Sequence, residues 1–243
     1  MTAGRDYSVA DLMTILLARE INDGDTVFFG VASHMPALAA LLARSLHAPG
    51  CTILNIPGGT GFNGGDLNRY SSASSDLLRG AVNYFPLTEV FDLSMRGGLD
   101  VAFLSGIQFD FCGNVNASFI GSYKKPKLRA PGGAGSAVLI PTVKKAVIWR
   151  TKHDKRTFVE QVDFVTTRGN IGAVVTPLCV FGFNGHNLYP RSIHEGVSAD
   201  EVRDGTAFPV DTDVPITEPP TAKELNMLRA IDEKGLRELE FTP

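Results

Sequence analysis

Gly106-Ile-Gln-Phe-Asp-Phe-Cys-Gly-Asn-Val-Asn-Ala-Ser-Phe-Ile-Gly121 is the stretch on which the fold turns, because it directly follows Asp100–Leu104, a run that reads as a buried strand. In open α/β sheets, ligands bind at the carboxyl ends of strands. Glycines and short amides placed there let the backbone approach a ligand closely and aim N–H groups at it. Pro126-Lys-Leu-Arg129 and Gly132-Gly-Ala134 follow, so two glycine clusters stand on either side of a basic segment. A plain connection between strands explains any single Gly-Asn pair. Two dense clusters joined by cations read as a site.

Working outward, the first sixty residues alternate helix, strand, helix, strand. Ser8-Val-Ala-Asp11 has a capping-box pattern, and Leu12, Ile15, Leu16 and Arg19 continue it at helical spacing. Thr26–Phe29 and Cys51–Ile56 read as short buried strands, with a helix from Ser33 to Leu46 between them. That alternation implies a parallel sheet covered by helices. Gly58–Ser75 reads as a long loop, Leu87–Met95 as a short helix. Val138–Ile140, Ala146–Arg150, Phe158–Val165 and Ala173–Phe183 read as further strands, some antiparallel. Ser198-Ala-Asp-Glu201 caps a short helix, and Thr221-Ala-Lys-Glu224 starts a terminal helix covering about 221–240. The expectation is one α/β domain over 1–243, an open mixed, largely parallel sheet flanked by helices.

Composition narrows the class. A formal net charge of −3 gives no general attraction to nucleic acid or to an anionic membrane surface. No apolar run reaches the roughly 20 residues that span a bilayer, and the opening Met1-Thr-Ala-Gly-Arg-Asp6 is unlike a signal peptide. Cys51, Cys112 and Cys179 form no Cys-x-x-Cys pair, so reduced thiols in a cytoplasmic protein are expected, with no metal site. Neither nucleic acid nor membrane is an expected partner.

Other motifs carry less. Gly59-Thr-Gly61-Phe-Asn-Gly64 has dinucleotide-loop spacing after a strand, but the residues beyond it make a poor helix. Asp76 comes too early, and Glu89 too late, for the ribose-binding acid. His186 and His194 flank an expected loop containing Arg191, as residues of a site or of a plain surface loop, and His153-Asp-Lys-Arg156 reads as a polar turn. Lys124, Lys125, Lys127 and Arg129 suit a phosphorylated ligand and equally a solvated loop.

Taken in order, these pieces resemble the class I coenzyme A-transferases, in particular the B subunits typified by glutaconate CoA-transferase. The pattern Gly-x-x-Gln-x-Asp-x-x-Gly-Asn-x-Asn-x-Ser-x-x-Gly is met by Gly106, Gln108, Asp110, Gly113, Asn114, Asn116, Ser118 and Gly121. Pro126–Arg129, the Gly132–Ala134 turn and His153–Arg156 match the segments that follow, and the likeness runs from about Ser8 to Val210. The resemblance implies an active site shared with a homologous A-type subunit. CoA enters as part of an acyl-CoA substrate, not as a permanently bound cofactor. In that family a B-subunit glutamate in the turn after the second strand attacks the thioester and carries CoA as a glutamyl thioester. Here the matching position is Ile56, and no glutamate lies between Glu20 and Glu89.

That departure points to a branch of the family, the steroid-ring-cleaving CoA hydrolases, whose B subunits also lack the glutamate and whose catalytic carboxylate belongs to the A subunit. Phe181–Gly185 and His194–Val197 fit this branch as well as the transferases. An arginine before the glycine turn does not: Ala130-Pro131 stand there instead. The resemblance assigns the thioester oxyanion to Gly132 and Gly133, and orientation of the acyl group or water to Gln108 and Asn116. It assigns coenzyme contacts to Gly106, Gly113, Asn114, Lys127 and Arg129. Hydrolysis of a thioester or C–C bond, CoA transfer between acids, and a non-catalytic CoA-binding subunit remain three open functions.

Overall fold

The computed structural model describes residues 6–62 and 67–241. Two compact units are distinguishable: Leu104–Glu218 forms one, and the chain on either side of it forms the other.

The flanking unit opens with α1 (Val9–Arg19), whose capping box is formed by Ser8 and Asp11. β1 (Thr26–Phe29), α2 (His34–Leu46), β2 (Thr52–Asn55), α3 (Thr88–Met95) and β3 (Val101–Leu104) follow. β2 and β3 both pair parallel to β1, with Phe28 opposite Leu54 and Ala102. Their side chains are buried almost without alternation, as expected of parallel strands covered on both faces.

In the inner unit β4 (Gln108–Phe109) pairs antiparallel with β5 (Val115–Asn116), and β6 (Phe119–Ser122) with β7 (Lys125–Arg129). After α4 (Ser136–Thr142), β8 (Lys145–Trp149) runs parallel to β9 (Ile171–Val175). β10 (Cys179–Phe183) is antiparallel to β9 and to β11 (Leu188–Ile193), and α5 (Ala199–Gly205) follows under the capping box of Ser198 and Glu201.

The chain then returns to the first unit as α6 (Ala222–Ile231), capped by Thr221 and Glu224. Arg19 donates from Nε and Nη2 to the two carboxylate oxygens of Glu224, both at 2.8 Å. Those bonds and the Thr221 cap outweigh partial burial and hold the Glu224 carboxyl down at about 2. Arg237 joins Asp11 at 2.6 Å and Asp232 at 2.7 Å, pinning α1 to the chain's last turns.

The expected α/β class stands, with parallel strands in the first unit and a mixed arrangement in the second. Several expected elements change. Val138–Ile140 lies in α4, with Leu139 and Ile140 facing inward; a short apolar run does not by itself distinguish strand from helix. Phe158–Val165 is irregular, with isolated bridges of Phe158 to Phe109 and Thr206. Ala173–Phe183 is two strands, because the Thr176 hydroxyl accepts from Leu178 and Cys179 N–H and turns the chain. The basic run 125–129 is a strand, and Arg191 lies on β11, not in a loop. The terminal helix stops at Ile231, beyond which Gly235 adopts φ +65°. Gly64, the last glycine of the dinucleotide-loop spacing, lies outside the described residues. Among the described residues no helix is long and apolar enough to cross a membrane.

Candidate functional site

Within the 106–121 loop, the amides and carboxylate chiefly hold the loop itself. Asp110 is buried, and its Oδ1 accepts from the N–H groups of Cys112 and Asn114, both at 3.1 Å. Its Oδ2 accepts from Asn114 Nδ2 at 3.0 Å and from Val162 N–H at 3.4 Å. Asn116 Nδ2 donates to Gln108 Oε1 and to the Phe119 carbonyl, both at 2.7 Å. Gln108 Oε1 also accepts from Asp163 N–H, while its Nε2 donates to Asp163 Oδ2. That same carboxylate oxygen accepts from Gly121 N–H at 2.8 Å. Gln108 and Asn116 are therefore occupied in the loop's internal wiring.

The glycines of the loop have equally local reasons. A Cβ at Gly106 would lie 2.6 Å from Val115 Cγ1, and one at Gly113 2.7 Å from Phe183 Cε2. Such distances exclude a side chain, so close packing within the unit already demands glycine at both positions. Gly113 also sits at φ +73°, where glycine carries no Cβ penalty. Asn114 borders a cavity lined with Asp110, Cys112, Glu160 and Gln161. Two carboxylates on that wall make it a poor seat for a polyphosphate.

The second glycine cluster is different. Gly132 has φ +93° and open space beside it, but its N–H already donates to the Ala117 carbonyl at 2.8 Å. Gly133 N–H makes no hydrogen bond among the described residues. A side chain is barred at Gly133, where a Cβ would meet Ala137 Cβ at 2.7 Å. The geometry thus separates the pair. Gly132 shapes the turn, and Gly133 offers the free donor. Lys127 and Arg129 are exposed on β7 and, like Lys124 and Lys125, have no ion-pair partner among the described residues.

In the other unit the turn after β2 is braced from within. Asn55 is fully buried; its Oδ1 accepts from Gly59 N–H at 2.9 Å and its Nδ2 donates to the Leu77 carbonyl at 3.2 Å. Gly58 N–H donates to the Asn55 carbonyl, and Phe85 N–H donates to the Gly58 carbonyl at 2.8 Å. A Cβ at Gly58 would fall 2.0 Å from the Phe85 carbonyl oxygen. This frame presents Ile56, half-buried, at the position where the resemblance places a carboxylate.

Neither His153 nor His194 is poised as a base. His153 lies between Phe158 and Phe181, and its ring nitrogens meet Thr176 Oγ1 at 2.9 Å and Thr206 Oγ1 at 3.0 Å. Burial depresses it to about 4. His194 is buried, with its ring nitrogens on Thr217 Oγ1 and the Thr176 carbonyl, which removes it from the site suggested by its neighbourhood in sequence. Burial pushes the Cys179 thiol up to about 12. No group of three or more His, Cys, Asp or Glu suited to a metal occurs among the described residues.

Sequence reasoning missed Asp163, Asn55 and Thr166. Asp163 lay in a run read as strand, although it braces both Gln108 and Gly121. Thr166 Oγ1 accepts from Ala117 N–H and meets Ser118 Oγ at 2.7 Å, which ties down the approach to the second glycine turn. The one available signal was Asn55 immediately before a Pro-Gly-Gly turn.

Comparison with known proteins gives a consistent set of likenesses. The family described as coenzyme A transferase matches residues 11–205. The B subunit of 3-oxoadipate CoA-transferase from Pseudomonas knackmussii is 31% identical over 93% of this chain and 94% of its own length. The cholesterol ring-cleaving hydrolase IpdB subunit of Mycobacterium tuberculosis is 30% identical over 96% of this chain and 98% of its own. Among solved structures, the decarboxylase AibA/AibB superposes with a TM-score of 0.90 at 31% identity, covering 96% of this chain and 98% of that one.

Proposed function

This chain belongs to the coenzyme A transferase family as a B-type subunit, and from that premise we propose that it works with an A-type subunit as an acyl-CoA hydrolase that forms no glutamyl-CoA intermediate. The observation that carries the reading is Ile56, an aliphatic side chain on the turn that Asn55 braces after β2. A hydrocarbon cannot attack a thioester, so the covalent route of CoA transfer has no nucleophile at this position.

The chain's own contribution is electrostatic. Gly133 N–H donates to the thioester oxygen as negative charge develops there, an effect worth about 3 kcal/mol per donor in related chemistry. Gln108, Asn116, Asp110 and Asp163 hold the loop and do not touch the acyl group. Lys127 and Arg129 meet the phosphates of the coenzyme as free cations. A carboxylate of the A-type subunit takes a proton from water, the hydroxide adds to the carbonyl carbon, and the C–S bond breaks. The departing thiolate then regains the proton.

A second reading has its own support. The likeness to AibA/AibB spans nearly the whole chain, and loss of CO2 from an acyl-CoA likewise needs no glutamyl thioester. Both are tested on the co-purified two-subunit complex, incubated with an acyl-CoA panel in 18O-labelled water with and without acceptor acids. Label in the free acid without an acceptor supports hydrolysis, and CO2 release with CoA still attached supports decarboxylation. Acceptor-dependent formation of a new acyl-CoA overturns the assignment and requires a nucleophile other than residue 56.

A further inference from the structure

The N–H that meets the thioester oxygen sits in a turn that cannot fix its own direction. It belongs to the peptide between Gly132 and Gly133, and glycine has the widest torsional freedom of any residue. Gly132 lies at φ +93° and Ala134 at φ +40°. The second value is costly for a residue with a Cβ, and such a conformation persists only where the surrounding structure holds it.

The holding bonds converge on Thr166, within the same unit. Gly132 N–H donates to the Ala117 carbonyl at 2.8 Å, and Ala130 N–H to the Ser118 carbonyl at 2.9 Å. The glycine turn is thus fastened to residues 117 and 118. One side chain grips that pair in turn: Thr166 Oγ1 accepts from Ala117 N–H at 2.9 Å and meets Ser118 Oγ at 2.7 Å. Thr166 is itself anchored, because its N–H donates to the Val115 carbonyl at 2.9 Å. Its methyl carbon lies 3.0 Å from the place that a Gly133 Cβ would occupy, directly against the turn. Branching at Cβ stiffens χ1, so the hydroxyl and the methyl are placed together. Serine would keep both hydroxyl bonds, whereas valine would keep the shape and lose both.

We propose that Thr166 is a positioning residue for the reaction: through Ala117 and Gly132 it aims the Gly133 N–H at the thioester oxygen, without touching the substrate. The inference rests on the acyl-CoA reading above and deepens it by naming what keeps the donor aligned. A donor of this kind works because it is aimed before the charge develops, and small misplacements are expensive in rate.

The test uses the two-subunit complex and the acyl-CoA of the panel that it turns over fastest. Beside it runs the dithioester of the same acid, whose C=S sulfur accepts hydrogen bonds weakly. Thr166→Val is expected to lower kcat on the thioester about tenfold with KM within about twofold, the mark of an interaction made in the transition state. On the dithioester kcat should fall less than about twofold. Thr166→Ser should bring the thioester kcat back to within about threefold of the unaltered complex.

Equal losses on the two substrates overturn the inference, because a general disturbance of the site does not distinguish oxygen from sulfur. An unchanged thioester kcat in Thr166→Val overturns it too, as does a serine variant no faster than the valine one. If the valine variant does not assemble with the A-type subunit, Ser118→Ala makes the same comparison by removing one bond of the hydroxyl pair. It should slow the thioester about threefold and leave the dithioester unchanged, and equal changes or none overturn the inference. Failure of the unaltered complex to turn over any acyl-CoA overturns the acyl-CoA reading itself. Turnover that is indifferent to Thr166 leaves that reading standing.

Discussion

Two loops leave parallel strands of this protein, and they are stabilised in opposite ways. The loop after β3 is wired by side chains: Asp110, Asn116, Gln108 and Asp163 bond one another and the local backbone. The turn after β2 is wired mainly by backbone, with buried Asn55 as a side-chain brace and Ile56 left without a polar role. Residue types associated with catalysis are thus occupied structurally in the first loop. In the second, a position of interest carries a residue with no chemistry of its own. A polar side chain in a glycine-rich loop has many backbone groups to satisfy, and only what is left over can serve a substrate.

The sharpest way to break this contrast is Asp110→Ala. It leaves buried backbone donors without an acceptor, and chemical denaturation should show a loss of about 4 kcal/mol. A loss below about 1 kcal/mol would mean that the loop is not wired through this carboxylate.

Acid offers a second, slightly smaller perturbation of the inner unit. His153 is held at about 4 in the folded protein against an ordinary value of 6.5. Between those values the unfolded chain binds a proton that the folded chain refuses. This contribution is present above pH 6.5 and is lost as pH falls towards 4, about 3 kcal/mol in all. The fall in Tm between pH 7 and pH 4.5 should be shallower in His153→Gln than in the unaltered protein.

Asn55→Ala tests the other loop and should cost about 2 kcal/mol, less than Asp110→Ala because fewer bonds are lost. Ile56→Glu should change stability by under about 1 kcal/mol, since the position is half-buried. With an acyl-CoA and the A-type subunit present, it should give a CoA adduct on this chain by intact-mass measurement. An unchanged mass would remove residue 56 from the reacting centre. The smallest effect is expected from alkylating the isolated chain at pH 8. Exposed Cys112 should react first, and buried Cys179, with its thiol at about 12, should not react while the chain is folded.

Much of the first unit was legible because its signals are local. Thr26–Phe29 and Thr52–Asn55 are short apolar runs bounded by turn residues, and the boxes at Ser8 and Thr221 lie within four residues of sequence. α4 was read as strand because its apolar triplet is too short to show a period. Asp163 was invisible for a different reason: its partner Gln108 is 55 residues away, and no local pattern encodes that pairing. The family pattern in 106–121 located the loop but not the division of labour inside it. That division depends on which N–H groups are already bonded, as at Gly132, and which are not, as at Gly133.

The return of the chain to its first unit sets a timetable for synthesis. α1 cannot acquire the Arg237 and Glu224 contacts until residues far downstream exist, because all of Leu104–Glu218 is translated in between. At about 5–20 residues per second the ribosome takes from several to some twenty seconds over that span. During this delay the apolar surfaces of α1 and α2 wait without α6, whereas the inner unit emerges as one continuous segment. In a chain cut at residue 218 and tethered to the ribosome by a flexible linker long enough to clear the exit tunnel, the inner unit should resist protease and the first unit, lacking α6, should be cut.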